Sequence, residues 1–380
     1  MTSFLFTLLL LFSWFSNTTN ETEKNELSLL FIGDIMGHGP QIEGAFVDSL
    51  RIYSYDNMFS NIKNEVSDAD FTIANLEVTL AGKPYQGYPK FSSPDALALA
   101  CKNNGIDGFV MANNHSCDRG DKGIIRSIEV VEKLNLLHTG TFNNISNRDS
   151  LNLMILAKNN IKVGVLNYTY GTNGLSFGDS VFVNRIDTAL MSKDIALAKQ
   201  TDIDKLIVFT HWGGEYKEQP DSFQLKTAQF LFSKDVDIII GSHPHVLQKM
   251  IYVPKNDTLK KTKESFIVYS MGNYVSNQRD RRKDGGCMVK LILQKDSEEV
   301  FIKECGYLLT WVYRTRRDGK YNYQILPCSK FENDSLFFEK KQDFEKMNVF
   351  ISDSRKLLDE NNLSVNEYIY KDNQWIISNE

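Results

Sequence analysis

The chain has 380 residues, 42% hydrophobic and 24% charged, so it can bury a full core without staples, as one large domain or two ordinary ones. Its formal net charge of −5 is mild and its Lys and Arg residues are dispersed, which argues against a nucleic-acid partner. Five cysteines (Cys101, Cys117, Cys287, Cys305, Cys328) contain no C-x-x-C pair, which argues against a zinc-thiolate site or a disulfide framework. The one bridge left open joins Cys287 to Cys305 or Cys328 in an oxidising compartment; buried free thiols are the ordinary alternative.

The N-terminus differs from the rest. Phe4 to Phe15 is almost wholly apolar and is followed by a polar stretch, Ser16 to Asn25. Such a run is too short to span a bilayer and fits the core of a signal peptide. Residues 1–20 are therefore read as a signal peptide or N-terminal anchor. No Lys or Arg precedes the run, the residues upstream of Ser13 and Ser16 are bulky for a cleavage site, and no Cys follows for lipid attachment. The expectation is an exported protein, periplasmic, at the cell surface or anchored to the membrane through this segment.

From Leu27 to about Tyr274, strand-like and helix-like segments alternate, which predicts α/β layers. LSLLFIG stops at Asp34, DFTIA at Asn75-Leu76-Glu77, and GIDGFVMA at Asn113-Asn114-His115. Further on, DKLIVFT stops at His211-Trp212-Gly213 and DVDIIIGS at His243-Pro244-His245. Helices are expected between them at Asn57 to Ser67, Pro94 to Asn103, Asp121 to Leu134, Thr188 to Gln200 and Ser222 to Lys234. Two more strands, Ile161 to Tyr168 and Ser265 to Ser270, carry no metal-type residue at their ends. After Asp280 the runs shorten into antiparallel-type strands, then helical spacing runs from Asp343 to Asn361, and the last residues read as a loose tail. The expected organisation is a main domain over 27–280, strands completing it over 281–330, and a C-terminal helical extension with a tail over 331–380.

In open α/β sheets, ligands bind just beyond the carboxyl ends of the strands. Five strand ends loaded with Asp, Glu, Asn and His therefore point to one shared metal site. In His243-Pro244-His245, an extended backbone would send the imidazoles to opposite sides, whereas a turn at Pro244 would let them serve two neighbouring ions. Asp34 follows Gly33, which permits a tight turn, although a lone Asp there is more often a cap or turn residue. Glu77 at the end of an apolar strand is costly without a partner, and a carboxylate bridging two divalent ions supplies one. Asn114 offers a neutral oxygen beside the titratable His115, and Asp118 is placed to orient that imidazole. His211 closes another apolar strand, where an unpartnered imidazole would be unusual.

Taken together, GDIM at Gly33 to Met36, NLE at Asn75 to Glu77 and ANNHSCDRG at Ala112 to Gly120 resemble the poly-γ-glutamate capsule biosynthesis protein CapA family. HWGGEY at His211 to Tyr216, GSHPHVLQ at Gly241 to Gln248 and SMGNY at Ser270 to Tyr274 extend the resemblance in order. That family is similar to the calcineurin-like metallophosphatases. The resemblance implies an α/β fold, a four-layer α/β/β/α sandwich around a two-metal centre, here with a C-terminal β/α extension. It implies that Asp34 and His245 hold a first divalent ion and that Glu77 bridges. Asn114, His211 and His243 would hold the second ion, with His115 beside the nucleophile. The ions would be Mn, Fe, Zn or Mg. One departure is plain: metallophosphatases open with Asp-x-His, and this chain has Met36 at that position. A thioether is a soft ligand that suits Mn²⁺ or Mg²⁺ poorly, so His38 either substitutes or is an exposed turn residue.

Two ions sharing a carboxylate would present hydroxide at neutral pH to a phosphorus or acyl carbon. His115 held by Asp118 would serve the leaving group, a role worth about 10²–10⁴-fold in rate. Glu215, Tyr216 and Gln219, which follow His211, and Asn273 on the SMGNY loop are the candidate substrate contacts; their other reading is to hydrogen-bond their own loops. The basic run Arg279, Arg281, Arg282 and Lys283 would attract a polyanion, although Asp280 and Asp284 flank it and favour an ordinary solvated loop. The expected partners are an anionic polymer or a small phosphoester or peptide substrate, with membrane-bound polymer-synthesis proteins. The leading function is an exported metal-dependent hydrolase of capsule or cell-envelope polymer synthesis, attacking a phosphoester or a γ-glutamyl amide. The alternatives are a non-catalytic accessory subunit that uses metal structurally, and a cytoplasmic nucleotide phosphatase.

Overall fold

The computed structural model describes residues 25–255, 263–297 and 299–378. The expected signal peptide or anchor lies outside these residues. The main strands are β1 (Glu26–Ile35), β2 (Phe71–Leu76), β3 (Gly108–Val110), β4 (Leu137–Thr139), β5 (Met154–Lys158), β6 (Ile161–Thr169), β7 (Lys205–His211) and β8 (Ile238–Ser242). They continue with β9 (Met250–Val253), β10 (Ser265–Val268), β11 (Asn273–Val275), β12 (Gly285–Lys295), β13 (Val300–Arg317), β14 (Lys320–Pro327), β15 (Asn366–Lys371) and β16 (Gln374–Ile377). The main helices are α1 (Gly39–Ala45), α2 (Lys63–Ser67), α3 (Ala96–Asn103), α4 (Gly120–Lys133), α5 (Thr188–Ala198), α6 (Ser222–Ser233) and α7 (Lys341–Asn361).

Two sheets carry the fold. The first runs β16-β15-β13-β12-β1-β2-β3-β4, with β11 also on β1 and β14 on β13; the second runs β9-β10-β8-β7-β6-β5. Strands β1 to β4 are mutually parallel, and so are β6, β7, β8 and β10. Parallel strands covered on both faces are apolar almost throughout, which is why these runs stood out in the sequence.

Three apolar layers follow from the alternation of side chains along each strand. Leu27, Leu29 and Phe31 of β1 face Val163, Val165, Ile207 and Ile240 of the second sheet. Leu30 and Ile32 turn the other way, onto Leu97, Ile124 and Ile128 of α3 and α4. On the far side of the second sheet, Tyr168, Val208 and Ile239 pack against Met191, Ile195 and Leu231 of α5 and α6. Helix, sheet, sheet, helix is the four-layer sandwich that the resemblance implied.

The strands after residue 281 join the first sheet, with β12 antiparallel to β1 from Glu26 to Ile32. Helix α7 places Met347, Phe350, Ile351 and Leu358 in the core between the sheets, where Trp311 and Leu309 also lie. The tail expected to be loose is instead a hairpin. Asp372 and Asn373 both have positive φ, 51° and 63°, the requirement of a two-residue type I′ turn. The helix expected at Asn57 to Ser67 splits into a single turn at Asp56–Phe59 and α2. Between them the Ser60 hydroxyl donates to the Asn57 carbonyl at 3.0 Å, a local bond that competes with helix continuation. All five cysteines are buried and free, so the bridge from Cys287 does not form. Among the described residues no helix is long and apolar enough to cross a membrane.

Candidate metal centre

The carboxyl ends of β1, β2 and β3 from one sheet and of β7 and β8 from the other meet at one edge of the sandwich. The turn expected at Gly33 is a close approach instead: a β-carbon there would come within 2.3 Å of the Gly272 carbonyl. That carbonyl accepts from the Asp34 amide at 3.2 Å, and the register slips between Ile32 and Asp34, which aims the Asp34 carboxylate out of the strand end. Asp34 Oδ1 accepts from the Asn75 side-chain amide at 2.7 Å, and Oδ2 lies 3.1 Å from His245 Nδ1. Although burial works to raise it, the bond and charge of His245, with the charge of His211, hold Asp34 below the usual carboxylate range.

Glu77, one residue past β2, is 0% exposed, and neither carboxylate oxygen has a hydrogen-bond partner. Imidazole nitrogens face it, His211 Nε2 at 3.4 Å and His245 Nε2 at 3.8 Å. Burial, followed by the nearby Asp34 carboxylate, pushes Glu77 well above the ordinary carboxyl range. A buried anion left this way is expensive unless a cation compensates it.

The histidine rings converge on the two carboxylates. His211 Nδ1 lies 3.0 Å from the Ser242 hydroxyl and 3.3 Å from the Asn75 amide nitrogen, and Nε2 faces Asn114 Oδ1 at 2.9 Å and Glu77. His245 Nδ1 is shared between Asp34 and Asn273 Oδ1, both at 3.1 Å, and its Nε2 also turns to Glu77. His243 Nδ1 is buried without a partner, and its ring lies 4.7 Å from that of His211. Burial drives His211 down to about 3 and His243 well below its ordinary value, so both imidazoles are neutral near pH 7, the form that binds metals. Pro244 does not leave the two histidines on opposite sides. His243 has φ of 100° and His245 of 58°, and their ring centroids are 5.9 Å apart. Left-handed backbone on non-glycine residues costs about 1–3 kcal/mol each and collects at functional sites.

Two groups of ligand atoms lie within 4.8 Å of one another, Glu77 with His243 and His245, and Asp34 with Glu77 and His211. Glu77 belongs to both, as a bridging carboxylate would. The pairing of Asp34 with His245 and of His211 with His243 implied by the resemblance is cut across in these groups. Asn114 joins through His211. An orphaned carboxylate, neutral imidazoles and an amide oxygen fit two divalent cations.

His115 donates through Nδ1 to Asp118 Oδ2 at 2.8 Å, and the same oxygen accepts from the Phe91 amide at 2.7 Å. Met36 turns into the apolar layer behind the first sheet. His38 is neither an exposed turn residue nor a member of either ligand group. It caps α1 with Nδ1 3.1 Å from Gln41 Oε1 and 3.3 Å from the Asn277 amide, and burial pushes it down to about 4. Glu215 and Tyr216 are exposed on the turn after β7, with the Tyr216 ring 6.1 Å from that of His245. Asn273 is fully buried, donating to Gln278 and to the Lys283 carbonyl, so its amide works behind His245. Gln219 donates to Asn361 at 3.1 Å. Three of the four basic residues of the run are paired, Arg281 with Asp353 at 2.6 Å, Lys283 with Asp280 at 2.6 Å, and Arg282 with Glu218, while Arg279 lies over the Trp311 ring.

Sequence reasoning gave no role to Asn75 or Ser242, which orient Asp34 and His211, and missed Tyr170. The Tyr170 ring lies 4.6 Å from that of His243, at the end of a strand read as lacking metal-type residues. Asn75 stood inside a quoted motif; Tyr170 gave no signal beyond following an apolar run.

The solved structures similar to the chain include the calcineurin-like phosphoesterase YfkN from Bacillus subtilis (13% identity, TM-score 0.41, covering 88% of this chain and 98% of that one). A 5'-nucleotidase from Candida albicans SC5314 matches at 10% identity and TM-score 0.42, over 88% of this chain and 58% of that one. Among curated relatives, the capsule biosynthesis protein CapA of Bacillus anthracis is 26% identical over 296 residues, 73% of this chain and 66% of that protein. The PGA biosynthesis protein CapA of Bacillus subtilis (strain 168) is 26% identical over 305 residues, 77% of this chain and 75% of that protein. The chain thus spans just under two thirds of the length of the first relative. Residues 28–278, well over half of the chain and every strand end of the centre, match the family described as bacterial capsule synthesis protein PGA_cap, and the chain belongs to that family.

Proposed function

We propose that the chain is an exported metal-dependent hydrolase acting in capsule or cell-envelope polymer synthesis, with water attacking a phosphoester or a γ-glutamyl amide. The observation that carries this reading is Glu77, a fully buried carboxylate with two unpartnered oxygens faced by imidazole nitrogens. Asp34, Glu77, Asn114, His211, His243 and His245 would hold two divalent ions. Such ions would lower the pKa of water and offset the charge that develops in the transition state.

The chain's own residues supply the rest. Asn75 and Asn273 fix Asp34 and His245 in place, and Ser242 holds the ring of His211. With Nδ1 committed to Asp118, His115 has Nε2 as its working face, and as an imidazolium it would give that proton to the leaving oxygen or nitrogen. The Phe91 ring, edge-on to His115 at a centroid distance of 4.6 Å, shields it from water.

A second reading, a non-catalytic accessory subunit, draws on Met36, whose side chain is buried among apolar neighbours at the position of the missing ligand. Elemental analysis of the full chain, with bis(p-nitrophenyl) phosphate and γ-glutamyl-p-nitroanilide as substrates, separates the two. About two Mn, Fe or Zn per chain with turnover of either substrate supports the hydrolase. Metal without turnover of any ester or amide favours the accessory subunit, and no bound metal overturns the centre itself.

A further inference from the structure

The two halves of the centre are braced differently. Behind Asp34 and His245 stand Asn75 and Asn273, buried side chains of the first sheet. His211, His243 and Asn114 are in addition covered by the loop that leaves β6, Tyr170 to Ser180, which carries none of the six candidate ligands. The Tyr170 amide donates to the His211 carbonyl at 2.9 Å. Its ring lies over His211 at 6.4 Å, with 14° between planes, and 4.6 Å from His243. Two residues on, the Thr172 carbonyl accepts from the Leu175 amide at 2.8 Å, and Asn173 and Gly174 have φ of 51° and 74°. Positive φ at both central residues is a type I′ turn, and Asn-Gly is the pair that takes it with least strain. The loop is tied down on either side of this turn. The Thr172 hydroxyl accepts from Arg185 at 3.0 Å, and the Gly178 amide and Ser180 hydroxyl donate to Asp121 of α4 at 3.1 and 3.0 Å.

Asn173 is exposed, and a turn alone would leave its side chain in water. Instead its Oδ1 accepts from the Asn114 side-chain amide at 3.3 Å. Asn114 is buried, and Asn173 Oδ1 is the one acceptor that its Nδ2 meets among the described residues. The two ends of a carboxamide are almost alike in shape, but the oxygen accepts whereas the NH₂ only donates, so a cation can be held by the oxygen alone. With Nδ2 held outward by Asn173, Asn114 Oδ1 faces inward, 2.9 Å from His211 Nε2. Removing the acceptor would leave a buried NH₂ unpaired, which is penalised, and an amide turned by 180° would point that NH₂ at the ion.

We infer that Asn173 is a positioning residue of the metal centre: it fixes which face of Asn114 meets the ion, and so sets the affinity of the ion that Asn114 and His211 would share. This role rests on the metal centre proposed above and is indifferent to the reaction run there. The test is calorimetric titration of the full chain with Mn²⁺, with free Mn²⁺ followed by electron paramagnetic resonance, in wild type, Asn173→Gly and Asn173→Asp. Glycine keeps the left-handed turn and removes the acceptor, whereas aspartate keeps both. In Asn173→Gly one Mn²⁺ should bind about tenfold or more weakly, the scale of a lost partner behind a ligand. The other should stay within about threefold of wild type, and the metal-free melting temperature should be that of wild type. Asn173→Asp should hold both ions within about threefold of wild type or more tightly. A glycine variant that weakens no bound Mn²⁺, or weakens both alike, overturns the role of Asn173 and leaves the centre standing. So does an aspartate variant that loses as much as glycine, or a loss that comes with a lowered metal-free melting temperature. Wild type that binds no Mn²⁺ overturns the centre, and this role with it.

Discussion

Two polar clusters lie fully buried in this molecule, and they are built on opposite terms. Beneath α5, Arg148 and Asp194, each 3% exposed, form an ion pair. The Tyr168 hydroxyl donates to Asp194 at 2.8 Å, Arg148 Nε donates to Asn184 at 2.9 Å, and the Asn184 amide donates to Asn152 at 2.7 Å. Every charge there has its counter-charge. At the strand ends, Glu77 and His243 present buried atoms with no partner at all. The first cluster is complete as folded, whereas the second leaves buried polar atoms that cations would satisfy. Burial alone therefore does not separate structural from functional charge; satisfaction does.

The comparison breaks most readily through the satisfied pair. Arg148→Ala or Asp194→Ala leaves one buried charge uncompensated and should cost about 3–5 kcal/mol in urea unfolding. A loss below about 1 kcal/mol, the range of an exposed pair, would mean that the two clusters do not differ as described. Addition of Mn²⁺ should do the reverse at the other cluster, adding about 2.7 kcal/mol at a hundredfold excess over Kd. Differential scanning calorimetry reads this directly, and the gain should vanish in Glu77→Gln.

Without metal, Glu77→Gln should raise stability by about 1 kcal/mol or more, because it removes an uncompensated buried carboxyl. A loss instead would show that Glu77 already has a stabilising partner in the folded chain. The smallest effect is in the pH profile. His211 and His243 titrate lower in the fold than in the unfolded chain, so the unfolded state takes up protons first. Their contribution to metal-free stability is present above pH 6.5 and is lost as pH falls, for His211 toward about 3. Glu77 has the opposite sign: its raised value gives stability below pH 4.5 that is lost as pH rises. Urea midpoints between pH 4 and 8 should therefore climb more steeply with pH in Glu77→Gln than in wild type.

Much of this was legible in the sequence. Covered parallel strands are apolar on both faces, so their polar ends show as abrupt stops, and Asp34, Glu77, Asn114, His211 and His243 all came from such stops. What the sequence left open depended on backbone angles and distant contacts. The convergence of His243 and His245 rests on two left-handed residues that Pro244 does not specify. The terminal hairpin was written in Asp372-Asn373, but weak turn residues near a chain end look like a loose tail. Tyr170 became visible only because β6 lies beside β7, and His38 because Asn277 folds back onto it.

The centre draws Asp34, Glu77 and Asn114 from the ends of one sheet and His211 and His243 from the ends of the other. An ion held by Asp34 and His211 would be a rivet through two plates whose shared core is apolar. Filling the centre would couple the opening of β1 to that of β7, so that their amides exchange with solvent as one unit where the empty protein lets each sheet fray on its own schedule.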